Sequence, residues 1–225
     1  MVGLASHGCR SGRGPGHARL VAVSGPDLSL EKACGAAPVC GIDEVGRGPW
    51  AGPVMAAAVI LDPARLPDGL NDSKKLTARR REALAEEIAA CALVGIGEAS
   101  VEEIDRLNIL QATYLAMSRA VAALPRTPAF ALIDGNRIAP GLSCPARAVI
   151  GGDARSASIA AASIVAKVAR DRLMAQLAQD FPAYGWERNA GYGVRVHAEA
   201  LKTYGITPHH RRSFKPVHKI LCQEN

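Results

Sequence analysis

The chain has 225 residues and a formal net charge of +6, and 48% of its residues are hydrophobic. This length allows one sizeable core and at most two small domains. No segment approaches the roughly 18 consecutive apolar residues of a membrane span. A signal-peptide pattern is absent, so we expect a cytoplasmic protein without membrane contact. Aromatic residues make up only 4%, which argues against a stacking platform for single-stranded nucleic acid.

The predicted elements alternate between strands and helices. Residues 1–37, rich in Gly, Ser, Pro and Ala, predict a flexible tail, and residues 38–225 predict one folded domain. Strands are predicted at 39–43, 54–61, 93–99, 129–134 and 146–151. Helices are predicted at 78–91 with Thr77 as N-cap, and from Ser100, where residues 100–103 form a capping-box pattern. Further helices are predicted at 108–124 and 156–179, and after Gly193 as far as Tyr204. This order fits an α/β domain with a mixed sheet of about five strands flanked by helices, plus a helical C-terminal appendage.

The distributions of charge and of cysteine give weaker indications of the binding partner and of the redox compartment. The modest positive charge suits a polyanionic partner, and basic residues cluster at 79–81 and 209–219. Solvated surface lysines and arginines are the alternative interpretation. The six cysteines form no Cys-x-x-Cys pair, which indicates free thiols in a reducing compartment.

The adjacent pair Asp43-Glu44 lies at the end of the first predicted strand and is followed by the turn Gly46-Arg47-Gly48. Neighbouring strand residues point to opposite faces, so both carboxylates cannot enter one core. Hard divalent cations prefer such oxygen ligands. The alternative is a strand end that carries two solvated acids.

Acidic residues also end two later predicted strands, at Asp134 and Asp153. Acids at strand ends can converge in the crevice where α/β sheets bind ligands. Carboxylates brought together repel one another, and two divalent metals roughly 4 Å apart would relieve this and hydrolyse phosphodiesters. No histidine lies near these positions in sequence, which favours Mg²⁺ or Mn²⁺ over zinc. Alternatively, Asp134 begins a turn and Asp153 caps the helix that starts at Ser156.

Several motifs occur in the order typical of one family. The chain resembles ribonuclease HII, the type 2 ribonuclease H family, over residues 39–219. The matching segments are Gly41–Pro49, Asn71–Leu76, Leu132–Asn136, Gly152-Asp153, Ala161–Lys167, Gly191–Gly193 and His210–Phe214. The resemblance implies an RNase H-like fold and endonucleolytic cleavage of RNA in RNA–DNA hybrids. It also implies incision 5′ of single ribonucleotides in duplex DNA, which leaves 3′-hydroxyl and 5′-phosphate ends.

The resemblance also implies roles for individual residues. The four metal-binding and catalytic acids fall on Asp43, Glu44, Asp134 and Asp153. The ribose sensor falls on Gly46, Arg47 and Gly48, and the junction-reading tyrosine falls on Tyr192. Two positions depart from the usual pattern of Lys and Thr around this tyrosine: they are Ala190 and Val194.

Other polar residues have two interpretations each. Lys74, Lys75 and Lys167 are candidates for holding phosphates, or they are solvated or structurally paired. Tyr192 is a junction reader or a half-buried tyrosine in a glycine-rich turn. His209 and His210 are predicted to be basic surface residues, with proton transfer as the alternative. The serines at 158 and 163 are predicted to be small packing residues.

Three hypotheses for the function follow from the sequence. The leading hypothesis is a two-metal endonuclease that acts as a monomer on RNA–DNA hybrids and on duplex DNA containing ribonucleotides. A sister enzyme, ribonuclease HIII, would be expected to carry an extra folded N-terminal domain. A non-catalytic module that binds hybrids is the third, but four acids facing phosphates do not suit a pure binder.

Overall fold

The computed structural model describes residues 25–222, and five segments pair into one sheet. The strands, in chain order, are β1 (Val39–Val45), β2 (Val54–Ile60), β3 (Leu93–Ala99), β4 (Phe130–Asp134) and β5 (Ala146–Val149). Their order across the sheet is β3-β2-β1-β4-β5. Pairing is antiparallel from β3 to β1 and parallel from β1 to β5. The predicted mixed sheet is therefore confirmed.

Helices cover the sheet and extend beyond it. In chain order they are α1 (Ser29–Lys32), α2 (Ala78–Cys91), α3 (Val101–Leu107), α4 (Ile109–Ala122), α5 (Ala157–Asp180), α6 (Trp186–Asn189), α7 (Arg195–Tyr204) and α8 (Lys215–Leu221). Thr77 caps α2 by accepting the Arg80 N–H, and Ser100 forms the predicted capping box of α3 with Glu103. Between residues 25 and 222, no helix combines the length and apolarity that crossing a membrane requires.

The core forms on both faces of the sheet. Every residue of β2 is buried, since α4 packs on one face of the sheet and α5 on the other. Gly41 of β1 lies so close to α5 that an added Cβ atom would stand 2.1 Å from the Ser158 carbonyl carbon. Because residues two apart share a strand face, this close approach also places α5 beside Asp43.

The C-terminal half of α5 carries a second, smaller core. Met174 of α5 is buried there with Trp186 and Leu201 from the helices that follow. The Tyr184 ring stacks on Trp186 with centroids 5.2 Å apart. This helical appendage, which sequence predicts, packs beside the loop between β1 and β2 through Ala51.

Residues 25–37 differ from the prediction of a flexible tail, because they fold against the domain. Glu31 of α1 is buried, and its Oε1 atom accepts bonds from Ser156 Oγ at 2.6 Å and Ser158 N–H at 2.9 Å. These partners lie 125 and 127 residues away in sequence, so the composition of the segment could not reveal them. Residues 1–24 and 223–225 lie outside the described part of the chain, where the prediction of a tail stays a prediction.

Candidate active site

Acidic residues stand side by side at the carboxyl ends of neighbouring parallel strands. Ile42 of β1 pairs with Ile133 of β4, so the residues that follow, Asp43 and Asp134, lie at matching positions. β5 runs parallel beside β4, and the turn after it carries Asp153 towards the same end of the sheet. The sheet topology thus brings these acids together, as their strand-end positions predict.

Asp43 and Glu44 point to opposite faces, because β1 continues as a regular strand past both residues. Asp43 lies on the α5 side, where its carboxylate accepts the Glu44 N–H at 2.7 Å and the Ser163 hydroxyl. Glu44 lies on the α4 side, with Oε1 3.4 Å from Arg47 Nη1. It borders a cavity of about 290 Å³ that Asp134 also lines. Asp43 is only 7% exposed, so the alternative of two solvated acids is wrong.

The Asp134 carboxylate holds the turn that carries Asp153. Its Oδ1 atom accepts the Gly152 N–H at 2.7 Å. Asp153 lies in that turn and is 9% exposed. Ser156, not Asp153, caps α5, because Ser156 Oγ accepts the Ile159 N–H at 3.1 Å. The interpretation of Asp153 as a helix cap is therefore wrong.

The carboxylates of Asp43, Glu44, Asp134 and Asp153, which we call the acidic cluster, repel one another. Burial raises the pKa of Asp43 well above its usual range, and the charges of Glu44 and Asp134 raise it further. Burial also raises the pKa of Asp153, and the charge of Asp134 adds to this effect. Neighbouring negative charges of this kind are stabilised when a cation binds between them.

The acidic cluster suits a hard divalent cation by its chemistry. Its donor atoms are carboxylate oxygens, which Mg²⁺ and Mn²⁺ prefer, whereas zinc favours nitrogen and sulfur ligands. Among residues 25–222, no three acidic, histidine or cysteine side chains already stand together at metal-binding distances. The fit therefore rests on the type of donor atom and on the repulsion that a cation would relieve.

A fully buried arginine holds the loop Gly46–Gly48 from within the protein. Arg211 donates hydrogen bonds to four backbone carbonyl oxygens, those of Gly46 at 2.5 Å, Gly52 at 2.9 Å, Arg47 at 3.1 Å and Pro53 at 3.1 Å. Burial, and then the neighbouring charge of Arg170, lower the pKa of Arg211 to about 9, so Arg211 remains charged at neutral pH. Two of the three backbone carbonyls of the loop, those of Gly46 and Arg47, thus accept hydrogen bonds from the protein interior, which fixes the loop backbone.

A second buried arginine connects this loop region to the segment around Tyr192. Arg170 of α5 donates to Ala51 O and Pro53 O, each at 3.0 Å, and to Ala190 O at 2.9 Å. Sequence reasoning missed both arginines. Arg211 belongs to a basic run that predicts an exposed surface, and the hydrogen bonds that bury it join residues far apart in the chain.

The ring of Tyr192 lies beside Gly48 and is 46% exposed. A Cβ atom built on Gly48 would stand 3.3 Å from Tyr192 Cε1. The backbone on either side of Tyr192 is fixed by Trp50, whose N–H donates to Gly191 O at 2.8 Å and whose ring leaves no room for a Cβ atom on Gly193. The predicted ribose sensor and the predicted junction reader therefore share one surface.

The predicted phosphate-binding lysines differ in their surroundings. Lys74 and Lys75 are exposed. Burial raises the pKa of Asp153 and the positive charge of Lys74 partly opposes this rise, which places Lys74 near the acidic cluster. Lys167 is half-buried and pairs with Asp171 at 2.6 Å. The structural-pairing alternative therefore describes Lys167, whereas Lys74 has the location expected of a phosphate contact.

Two polar residues have roles that sequence reasoning did not assign. Ser163 bonds to Ser73 with 2.9 Å between the hydroxyl oxygens and also donates to Asp43, so its interpretation as a packing residue is wrong. It ties the segment of Lys74 to the acidic cluster. His210 is 1% exposed, so its interpretation as a basic surface residue is wrong as well.

Similar chains and folds are found among known proteins. The family model described as ribonuclease HII matches residues 40–217. Ribonuclease HII of Ruegeria pomeroyi is 67% identical over 202 residues, which cover 88% of this chain and 86% of the relative. The solved ribonuclease H2 of Pyrococcus horikoshii OT3 superposes with a TM-score of 0.70 at 29% identity and covers 82% of this chain and 97% of its own.

A more distant solved structure shares the fold. Bst-RNase HIII, solved in complex with Mn²⁺, superposes with a TM-score of 0.65 at 18% identity, over 88% of this chain and 74% of that protein. At this identity the likeness concerns the fold alone. It confirms that the mixed sheet with its flanking helices is an RNase H-like arrangement.

Proposed function

This chain belongs to the ribonuclease HII family, a family of ribonucleases H that hydrolyse the RNA strand of RNA–DNA hybrids, and we propose that it also incises duplex DNA 5′ of single embedded ribonucleotides. The proposed products carry 3′-hydroxyl and 5′-phosphate ends. The observation that carries the proposal is the acidic cluster at the carboxyl ends of β1, β4 and β5. Arg47 of the adjoining loop contacts Glu44 of the cluster, and Tyr192 lies beside Gly48 of the same loop.

The proposed cofactor is Mg²⁺ or Mn²⁺, held by Asp43, Glu44, Asp134 and Asp153. Two such cations supply Lewis acidity and an activated water for in-line attack on a phosphodiester. The protein contributes the fixed positions of the carboxylates: Asp43 accepts from Ser163 and from the Glu44 N–H, and Asp134 accepts the Gly152 N–H.

Selectivity is proposed to come from the loop Gly46–Gly48 together with Tyr192. The 2′-hydroxyl is the group that distinguishes RNA from DNA at one position. Arg211 occupies the carbonyl oxygens of Gly46 and Arg47, so the loop offers its remaining backbone groups to a 2′-hydroxyl at close range. The exposed ring of Tyr192 beside Gly48 would pack on the neighbouring deoxyribose, where a 2′-hydroxyl would collide.

Affinity for the duplex is proposed to come from phosphate contacts. Lys74 and Lys75 are exposed on the segment that Ser73 ties to Ser163, close to the acidic cluster. Lysines placed in this way hold a backbone without reading its sequence. Lys167, which bonds to Asp171, is the weakest candidate of the three. We further propose that the enzyme acts as a monomer in the cytoplasm, where such duplexes arise during DNA synthesis.

One experiment tests the proposed function. A labelled DNA duplex with one ribonucleotide and a matched all-DNA duplex are incubated with Mg²⁺, with Mn²⁺ or with a chelator. We expect cleavage 5′ of the ribonucleotide in either metal, a product that a DNA polymerase can extend, and no cleavage of the all-DNA duplex. Asp134→Asn serves as the matched inactive variant. Binding of hybrids by the wild type without cleavage in any metal would favour the non-catalytic module.

A further inference from the structure

Two fully buried histidines lie beneath Tyr192 in the C-terminal appendage. His197 of α7 is 0% exposed and His210 is 1% exposed. Their Nε2 atoms are 2.9 Å apart, and His197 Nδ1 is 3.0 Å from the backbone carbonyl oxygen of Tyr192. This carbonyl also accepts the Val194 N–H at 2.8 Å. The pair therefore contacts the tyrosine through its backbone carbonyl.

The protons on both imidazoles follow from their partners. The Thr207 backbone N–H donates to His210 Nδ1 at 2.9 Å, so this nitrogen carries no proton. A neutral His210 then has its proton on Nε2 and donates to His197 Nε2. His197 in turn holds its proton on Nδ1 and donates to Tyr192 O. Trp186 Nε1, which can only donate, also faces His197 Nε2 at 3.4 Å and agrees with this assignment.

We propose that His197 and His210 are positioning residues for substrate selectivity: a directed chain of hydrogen bonds from Thr207 through both histidines fixes the Tyr192 backbone and thereby sets its ring beside Gly48. This inference rests on the proposed role of Tyr192. The hydrogen bonds of the pair go to Trp186, Tyr192 and Thr207 and to each other, and none involves the acidic cluster. Its effect is transmitted through one carbonyl group.

The surroundings of the pair favour its neutral form. The rings of Tyr184 and Trp186 pack against both imidazoles and Trp50 packs against His197, with Tyr184 and His210 centroids 5.0 Å apart. Burial lowers the pKa of His210 to about 3, with His197 as the next contribution, and burial lowers the pKa of His197 too. Both imidazoles can then act as one donor and one acceptor each, which the chain requires.

Two variants of His197 test the contributions of its two ring nitrogens separately. Asparagine places its amide near the position of Nδ1 and can still donate to Tyr192 O. Glutamine reaches the position of Nε2 and can still meet His210, but it loses the Tyr192 contact. The readout is the ratio of kcat/KM for a duplex with one ribonucleotide to kcat/KM for a long RNA–DNA hybrid. We expect His197→Asn to keep this ratio within about twofold and His197→Gln to lower it about two- to tenfold.

Three further proteins complete the test. His197→Phe keeps the aromatic packing and removes both nitrogens, so it should match His197→Gln even if the latter folds poorly. Leu84→Ala in the buried part of α2 is a destabilised control, for which the ratio should not change although its Tm falls. Tyr192→Ala measures the full effect of the ring.

The outcomes separate the inference from the proposed function. If Tyr192→Ala lowers the ratio but His197→Gln and His197→Phe leave it unchanged, the role of the histidines is refuted and that of Tyr192 stands. Equal losses in His197→Asn and His197→Gln would also refute the inference, because they would indicate general disruption. A ratio unchanged in Tyr192→Ala would overturn both the proposed role of Tyr192 and the inference that depends on it.

Discussion

Gly48 and Tyr192 lie in direct apposition, so that a single added methyl group on Gly48 would stand 3.3 Å from the tyrosine ring. The two residues belong to distant parts of the sequence. They meet because Arg170 donates both to Pro53 O, after the first loop, and to Ala190 O, before the tyrosine. A buried arginine thus joins the loop proposed to read the ribose to the ring proposed to read its neighbour.

Gly48→Ala should therefore impair cleavage at a single embedded ribonucleotide while leaving the fold intact. The added methyl crowds Tyr192 Cε1, and the half-exposed ring can move by a few tenths of an ångström to relieve the contact. A misplacement of 1 Å can cost about 100-fold in rate, so we expect about a tenfold loss of kcat/KM on a single embedded ribonucleotide. Gly25→Ala, whose methyl makes an ordinary 3.6 Å contact with Leu70 O, is the control. Equal activity of both variants would contradict the prediction.

Arg211→Lys should destabilise the protein markedly. An ammonium group cannot reproduce the planar fork that reaches four carbonyl oxygens, and each buried carbonyl left without a donor costs about 1–3 kcal/mol. With two such groups unpaired, Tm should fall by about 5–15 °C in thermal unfolding. Arg212→Lys at the exposed neighbouring position should change Tm by less than about 2 °C. Similar Tm values for the two variants would show that the buried bonds are dispensable.

The position of the acidic cluster could be predicted from the sequence, because it depends on local patterns. Short apolar runs ending in Asp43 and Asp134 indicate strands, and parallel neighbours align their carboxyl ends. The helix caps at Thr77 and Ser100 are equally local signals, and both were found where predicted. The burial of Glu31 depends on Ser156 and Ser158 and has no such local signal.

The buried polar residues that hold the site in place could not be predicted from local sequence patterns. Whether a histidine or an arginine is a solvated surface group or a buried donor depends on partners supplied by tertiary structure. His210 is buried because Thr207 and His197 satisfy both of its nitrogens. Arg211 is buried because backbone carbonyls more than 150 residues earlier accept hydrogen bonds from its guanidinium group. In sequence, both residues look like part of one basic run.

Neutralising Lys215 and Lys219 should weaken binding to duplexes and reduce its salt dependence. Both lysines are exposed on α8 in the appendage that also carries Tyr192. Each lost phosphate contact lowers the slope of log affinity against log salt by about 0.9 for B-form DNA, so the double Gln variant should lose about 1–2 units. The cleavage position should stay the same. Lys32→Gln, in α1 at the amino end of β1, is the control. An unchanged slope would mean that α8 faces away from the duplex.

Asp43→Asn should remove activity, because it replaces a charged carboxylate of the acidic cluster by a neutral amide of nearly equal volume. Loss of groups that merely support metal ligands costs about 10–100-fold, so loss of a proposed ligand should cost more than about 100-fold in kcat at saturating Mg²⁺. Asp180→Asn at the exposed end of α5 should retain full activity. Turnover of Asp43→Asn close to that of the wild type would remove Asp43 from the metal site.

The same substitution should stabilise the metal-free protein, and the gain should grow with pH. The folded-state pKa of Asp43 is raised above the value of 3.8 for an unperturbed aspartate, first by burial and then by Glu44 and Asp134. Below pH 3.8 the Asp43 carboxyl is protonated in the folded and in the unfolded state. As pH rises from there to the folded-state pKa, the unfolded state ionises first, so the free energy of unfolding falls. The wild type is therefore destabilised at neutral pH, whereas the Asn variant is not.

Thermal unfolding in chelator should give a higher Tm for Asp43→Asn at pH 8, by about 2–4 °C for each kcal/mol relieved, and a smaller difference at pH 4.5. Saturating Mg²⁺ should raise the Tm of wild type more than that of the variant, since only the intact cluster gains binding free energy. A Tm difference that stays constant from pH 4.5 to pH 8, or that favours wild type in chelator, would show that Asp43 does not bear the repulsion of the cluster.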